Sequence, residues 1–188
     1  MGKLFILLTI LLIPNWVLGS ESENNARQEL SALYLQRGIK AYQDGDYQKA
    51  AESYAESISY WPSVRASGNL CNLYLYGQGV EKNYATAIRL CKDAAEYDDA
   101  HSLIMLGEIY LLGKGVAKDL KIAEEYYQKG ADLGHAHGQF MLASLLQKKS
   151  PTETKYYLEK AAENGHAEAK KVLINSNKHY QNQLKNRE

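Results

Sequence analysis

The chain has 188 residues, of which 45% are apolar and 23% charged, proportions that are ordinary for one globular domain with a sizeable core. Its 22 lysines and arginines balance its 22 aspartates and glutamates, so it lacks the basic excess of a typical nucleic-acid-binding surface. The presence of only three prolines favours a helical fold.

In chain order, the first nineteen residues are typical of a secretory signal peptide. Lys3 supplies a positive charge, ten mostly apolar residues follow from Leu4 to Ile13, and the segment ends at Gly19. Because a stable membrane anchor needs about twenty apolar residues, we favour cleavage after Gly19 over an uncleaved anchor. The mature chain is expected to be exported, to the periplasm or beyond, without a stable membrane span. Its polar residues 20–30 predict a loose lead-in.

Capping residues and glycines divide the rest of the chain into predicted helix pairs. Helix starts are indicated by Asp46, Asn83, Asp119 and the motif Ser150-Pro151-Thr152-Glu153. Gly134 and Gly165 fit left-handed helix ends. The predicted pairs are 30–43 with 47–60, 64–76 with 84–97, 100–112 with 120–132, and 136–148 with 151–164, followed by a last helix at 167–184.

These pairs form an internal repeat. The turn "LYGQGV" at 75–80 returns as "LLGKGV" at 111–116, an offset of 36 residues, and the Gly-His-Ala of 134–136 returns at 165–167. A period in the thirties is typical of a solenoid of paired helices. Small residues recur where paired helices would touch, at Gly38, Ala50, Cys71, Ala87, Gly107, Ala123 and Ala143.

The paired glycines could instead belong to a phosphate-binding loop. Such a loop needs a strand before the glycines and a lysine followed by serine or threonine. A predicted helix precedes the glycines here, and neither "GQGVEKN" nor "GKGVAKD" contains the lysine-hydroxyl pair. We therefore predict elbows between antiparallel helices, in which Val80 and Val116 insert into the core.

The stretch "LGEIYLLGKGVAKDLKIAEEYYQKGADLGHAHG" at 106–138 resembles the Sel1-like repeat (SLR) family, relatives of the tetratricopeptide repeat. The similarity assigns Sel1-like repeats to 63–99, 100–135 and 136–169, a tetratricopeptide-like repeat to 31–62, and a capping helix and tail to 170–188. It implies an all-α fold: a right-handed α/α superhelical solenoid of about four helix pairs plus a C-terminal capping helix. For an exported bacterial member, it implies an adaptor without common catalytic residues or a cofactor.

The two cysteines occupy matched positions of one Sel1-like repeat. Cys71 replaces the small contact residue of a first helix, and Cys91 replaces the inward aromatic residue of its mate. An exported chain meets an oxidising compartment. We therefore favour a disulfide between Cys71 and Cys91, with two buried free thiols as the alternative.

Metal binding and catalysis find little support in the sequence. The histidines are His101, His135, His137, His166 and His179. His135 and His137 are two residues apart and diverge on a helix, and no nucleophile elbow is present. We therefore predict no metal site and no cofactor. The enzymatic alternative is a periplasmic hydrolase or binder of β-lactam or cell-wall-like ligands, as the similarity to cysteine-rich relatives suggests.

Binding to another protein is the remaining function. In stacked helical hairpins the first helix of each pair lines the concave side, where an extended peptide or a helix can dock. The positions predicted to lie there are Leu35, Ile39, Tyr42, Asn72, Tyr76, Ile104, Glu108, Leu111, Phe140 and Ser144. Burial of some of them in the core is the alternative for each residue. We predict a non-enzymatic adaptor for another envelope protein or peptide, with a structural envelope component as a rival.

Overall fold

The structure, a computed structural model, describes residues 21–185, except for the side chains of Asn177 and residues 179–185. The predicted signal peptide lies outside the described residues. Within 21–185 the chain forms nine helices and no strand. They are α1 (Glu21–Gln43), α2 (Tyr47–Tyr60), α3 (Val64–Tyr76), α4 (Tyr84–Ala95), α5 (Ala100–Leu112), α6 (Leu120–Asp132), α7 (Ala136–Leu146), α8 (Pro151–Glu163) and α9 (Ala167–Lys185).

The predicted helices are confirmed, with one large difference at the first. Helix α1 begins at Glu21 rather than near residue 30, so the described part of the predicted lead-in is helical. Glu21 and Glu23 lie in its first turn, where carboxylates interact favourably with the helix dipole. Alanine, arginine and glutamine at 26–28 are also good helix formers. None of the helices described is long and apolar enough to cross a membrane.

The chain divides between Asn83 and Tyr84 into two compact units. The first contains α1, α2 and α3, and the second contains α4 to α9. In the first unit, the ring of Tyr54 covers Gly38, with a ring carbon 2.5 Å from where a Cβ would lie. Ser57 Oγ donates to the carbonyl of Ser31 at 2.9 Å, which joins α1 to α2 through a buried bond. Helix α3 then packs against α2.

The same glycine–tyrosine contact organises the second unit. The ring of Tyr127 on α6 lies over Gly107 on α5, 2.7 Å from where a Cβ would lie. Tyr127 is only 1% exposed, and a core cluster forms around it. The buried members of that cluster are Ile104, Ala123, Tyr127, Ala131, Leu142 and Leu146.

The repeated elbows use glycine for two reasons. Gly79 and Gly115 have φ of 68° and 74°, a region that other residues rarely adopt. A Cβ on Gly79 would also lie 2.2 Å from the backbone at Tyr47, and one on Gly115 would lie 2.4 Å from the Cβ of Tyr84. Each elbow therefore packs against the start of an earlier second helix of its own unit. The adjacent valines, Val80 and Val116, are only partly buried rather than inserted in the core.

The predicted side-chain caps are confirmed at Asp46 and Asp119. At Ser150 the helix starts as predicted, but the serine side chain does not cap it. Asp46 accepts a bond from the N–H of Lys49 at 3.1 Å, and Asp119 caps α6 in the same way. Ser150 precedes α8 with Pro151 at the first turn, but its side chain makes no capping bond. The carbonyl of Ser150 instead accepts from the amide and hydroxyl of Thr154, each at 2.9 Å.

An acceptor side chain precedes α5, α7 and α9 at equivalent positions, namely Asp99, His135 and His166. Each accepts from the backbone N–H three residues later, at 2.8, 3.4 and 3.3 Å respectively. The residue before each cap has positive φ. It is glycine at 134 and 165, as the sequence predicted, but Asp98 in the earliest of the three, with φ of 56°.

The cysteines are fully buried and disulfide-bonded. As the chain contains only Cys71 and Cys91, the predicted disulfide is confirmed. Each lies 36 residues before its counterpart in the next repeat, Gly107 and Tyr127 respectively. The disulfide therefore occupies the register position of the glycine–tyrosine contact.

Candidate partner-binding surface

Four of the predicted contact positions lie on the first helices α5 and α7 of two successive repeats and are exposed or only partly buried. We call Glu108, Leu111, Phe140 and Ser144 the first-helix surface. Ser144 is exposed, whereas the other three are partly buried. The neighbouring residues Leu142 and Ala143 on α7 are at most 1% exposed. Helix α7 thus separates a core side from a side open to contact.

Glu108 is not the free charge that its position suggests. Its carboxylate lies 2.5 Å from Nζ of Lys114 in the following elbow, and both side chains are largely buried, at 29% and 21% exposure. Burial, and then the nearby charge of Glu108, raises the pKa of Tyr127 far above its usual range. The ion pair ties the end of α5 to its own elbow, so Glu108 contributes rigidity as well as polarity.

Phe140 is part of a stack of three aromatic rings. Its ring lies 4.3 Å from that of His166, measured between centroids, with 17° between the planes. His166 in turn stacks on His137 at 5.5 Å. Neither histidine was predicted from the sequence to lie beside Phe140. The three-residue spacing of His137 and Phe140, which places them on one helix face, was the available signal.

Ser144 and Ile104 show opposite outcomes for predicted positions. The hydroxyl of Ser144 donates to the carbonyl of Phe140 at 2.9 Å, within its own helix, and the side chain faces outward. Ile104 is only 5% exposed and belongs to the core cluster, so its assignment to the binding side is wrong. Its Cδ1 fills the space that Gly130 and Gly138 leave open, 2.4 Å from where either Cβ would lie.

The predicted positions of the first unit range from partly buried to exposed. Asn72 is partly buried, and Tyr76 at the end of α3 is 42% exposed. On α1, Leu35 and Ile39 are partly buried, and Tyr42 is 38% exposed with its ring edge-on to Tyr47. Because Asn72 and Glu108 are both partly buried, a charge introduced at the first or reversed at the second would alter packing as well as any binding surface. Ser144 is the cleaner position for a test.

The chemistry of the first-helix surface suits contact rather than coordination. Among the side chains that the structure describes, no group of three or more histidine, cysteine, aspartate or glutamate residues is arranged to hold a metal ion. Two apolar side chains, a hydroxyl and an ion pair instead present the mixed character of a protein interface.

Comparison with known proteins identifies the repeat. The family model described as Sel1 repeat matches residues 65–97, 100–135 and 136–166. A search of curated proteins gave no significant match. Among solved structures, the chain is similar to a Sel1 repeat protein from Oxalobacter formigenes, with 28% identity and a TM-score of 0.64. That match covers 70% of this chain and 56% of the other, so this chain spans little more than half of it.

Two more distant structures show the fold alone. One is c5321, a protective antigen present in uropathogenic Escherichia coli strains and displaying an SLR fold, with 24% identity and a TM-score of 0.61. It aligns with 78% of this chain and 32% of its own length. A putative sel1 repeat protein from Klebsiella pneumoniae subsp. pneumoniae has 20% identity and a TM-score of 0.52, over 78% and 75% of the two chains. The all-helical repeat solenoid class is thereby confirmed, and the handedness of the superhelix stays a prediction.

Proposed function

Since the chain belongs to the Sel1 repeat family, whose members are generally protein–protein interaction scaffolds, we propose that it is a non-enzymatic adaptor of the cell envelope. It binds an extended peptide or a helix of another envelope protein. The first-helix surface of the second unit is the proposed contact.

The observation that carries this proposal is the partial exposure of Leu111 and Phe140. Both are apolar, both lie on the first helix of a repeat, and the exposed Ser144 is hydrogen-bonded to the carbonyl of Phe140. Partly exposed apolar side chains beside polar groups are what a docking peptide would cover, with the apolar centre supplying most of the affinity. The Glu108–Lys114 ion pair lies at the end of α5, close in sequence to Leu111, where it can supply hydrogen bonds at the edge of the contact.

Two features support an exported adaptor. The sequence begins with the pattern of a secretory signal peptide. The two cysteines are disulfide-bonded, a state that persists in oxidising compartments such as the periplasm.

Affinity capture from the native envelope fraction tests the proposal. The mature chain is crosslinked to its neighbours, recovered, and compared with two variants by quantitative mass spectrometry. Ser144→Arg places a large charged side chain on the first-helix surface. Thr152→Arg is the matched control, because Thr152 is an exposed hydroxyl residue on the second helix α8.

We expect one dominant protein with the wild type and with Thr152→Arg, and its loss with Ser144→Arg. Circular dichroism of both variants should show unchanged thermal unfolding, since both positions are exposed. Equal recovery of the same protein with all three chains would contradict the proposed surface. Recovery of no specific protein by the wild type would contradict the adaptor function itself.

A further inference from the structure

Four of the five histidines lie at helix starts in the second unit. His101 is in the first turn of α5, His135 caps α7, His137 follows in the first turn of α7, and His166 precedes α9. The adaptor function proposed above uses none of them directly. The hydrogen bonds of His135 and His166 nevertheless require a ring nitrogen that carries no proton.

The bonds of His166 define where its proton lies. Its Nδ1 accepts from the backbone N–H of Ala169 at 3.3 Å, so Nδ1 carries no proton. In the neutral ring the proton is then on Nε2, which lies 3.3 Å from Nδ1 of His137. Nε2 of His166 therefore donates to Nδ1 of His137, and the cap on Ala169 requires that the ring of His166 is neutral.

We propose that the cap formed by His166 is a pH-sensitive latch on the start of α9, which opens when a second proton occupies Nδ1 of His166. A second proton on His166 would occupy Nδ1 and remove the cap of α9. The amide of Ala169 would then face a second donor instead of an acceptor.

The stacked ring of Phe140 acts in the opposite direction. An imidazolium above its face, at 4.3 Å, would gain a cation–π attraction. That gain, together with the bond that Nε2 of His166 still donates to Nδ1 of His137, is set against the loss of the cap on Ala169. Because Nδ1 cannot both carry a proton and accept from the amide of Ala169, protonation of His166 opens the cap.

The charges around His166 are few and largely compensated. Burial, and then the neighbouring His137, lowers the pKa of His166, whereas Glu168 on α9 opposes the shift. Glu168 also pairs with Lys171 at 3.2 Å. The last turn of α8 carries Lys160 and Glu163, which pair with each other at 3.0 Å.

A lowered pKa fixes the direction of the switch. The closed latch is fully favoured above the ordinary histidine pKa of 6.5 and is lost as the pH falls through the lowered value in the folded state. His135 repeats the arrangement one repeat earlier, since its Nδ1 accepts from Gly138 N–H at 3.4 Å. Burial, and then His101 and His137, lowers the pKa of His135, while Asp99 opposes this.

Hydrogen–deuterium exchange on the full mature chain tests the latch. Exchange of the amides at 167–170 is measured at pH 7.5 and pH 5.0 and corrected for the intrinsic pH dependence of exchange. His166→Asn is the matched variant, because asparagine is a good N-cap but does not titrate. A histidine of pKa 6.5 in the open state that stays neutral when closed would raise opening by at most about 30-fold.

We expect opening of 167–170 in the wild type to rise several-fold toward that limit at pH 5.0, and to change little in His166→Asn. Equal pH responses in the two chains, or none in the wild type, would overturn the proposal. NMR titration of wild-type His166 gives an independent result even if the variant fails to fold. A midpoint below 6.5, shared with the amide of Ala169, supports the latch, and a midpoint at or above 6.5 overturns it. Neither experiment requires a partner, so this proposal can fail without the adaptor function.

Discussion

The ring of Tyr127 fills the space above Gly107, with its nearest carbon 2.7 Å from where a Cβ would lie. Tyr54 and Gly38 form the same contact in the first unit. In the repeat that lies between these two in the sequence, Cys71 stands at the glycine position and Cys91 at the tyrosine position, and the two form a disulfide. The repeat therefore allows either close packing or a covalent bond at one position.

Gly107→Ala tests this contact. The new methyl group would collide with the buried ring, and overpacking exceeds the gain in helix propensity, so we expect the free energy of unfolding to fall by about 1–2 kcal/mol. Urea denaturation measures the change. In a Tyr127→Leu background the same substitution should cost less, because the ring is gone. An equal loss in both backgrounds would show that the ring is not the cause.

The repeat register could be read from the sequence because it depends on local chemistry. The elbow glycines, the small contact residues and the caps at Asp46 and Asp119 each have a local conformational reason, and the structure bears them out. The disulfide followed from register and compartment together.

The binding side could be read less well, because it depends on packing. Helix α5 is apolar on most of its surface, and residues 102–107 are all buried, so periodicity could not separate Ile104 from Leu111. The start of α1 was missed because residues 21–30 carry no apolar stripe. His166, which stacks on Phe140, follows the next helix of the same repeat, and sequence spacing alone does not predict that contact.

Removal of the disulfide should destabilise the chain. The loop between Cys71 and Cys91 predicts a loss of about 3 kcal/mol when both are replaced by alanine, from the entropy of the unfolded chain. Chemical denaturation of the oxidised protein and of the double variant measures this loss. A thiol assay on unfolded, unreduced protein should detect no free thiol, and detection of two would contradict the assignment.

Asp98→Gly should stabilise the chain. Asp98 has φ of 56°, whereas the equivalent residues are Gly134 and Gly165. Relief of the left-handed strain should raise the free energy of unfolding by about 0.5–1 kcal/mol. Gly134→Ala is the opposite control, because a Cβ there meets nothing within 4 Å and only the backbone conformation is penalised. Thermal unfolding that shifts in the same direction for both variants would refute this explanation.

Ser102→Ala should also stabilise the chain. Ser102 is fully buried, and its hydroxyl has no hydrogen-bond partner among the described residues. Removal of a buried unsatisfied hydroxyl is expected to raise the free energy of unfolding by about 1 kcal/mol. Ser57→Ala is the contrasting variant, since the buried hydroxyl of Ser57 donates to the carbonyl of Ser31 at 2.9 Å. Differential scanning calorimetry measures both variants, and Ser57→Ala should be destabilised. A loss of stability for Ser102→Ala would contradict the expected gain.

The most direct test of the adaptor function is photo-crosslinking in living cells. A photoreactive amino acid is placed at Ser144 on the first-helix surface or at Thr152 on α8, and the adducts are identified by mass spectrometry. We predict that position 144 captures one envelope protein that position 152 does not. Adducts that are the same from both positions, or that arise only from position 152, would contradict partner binding at this surface.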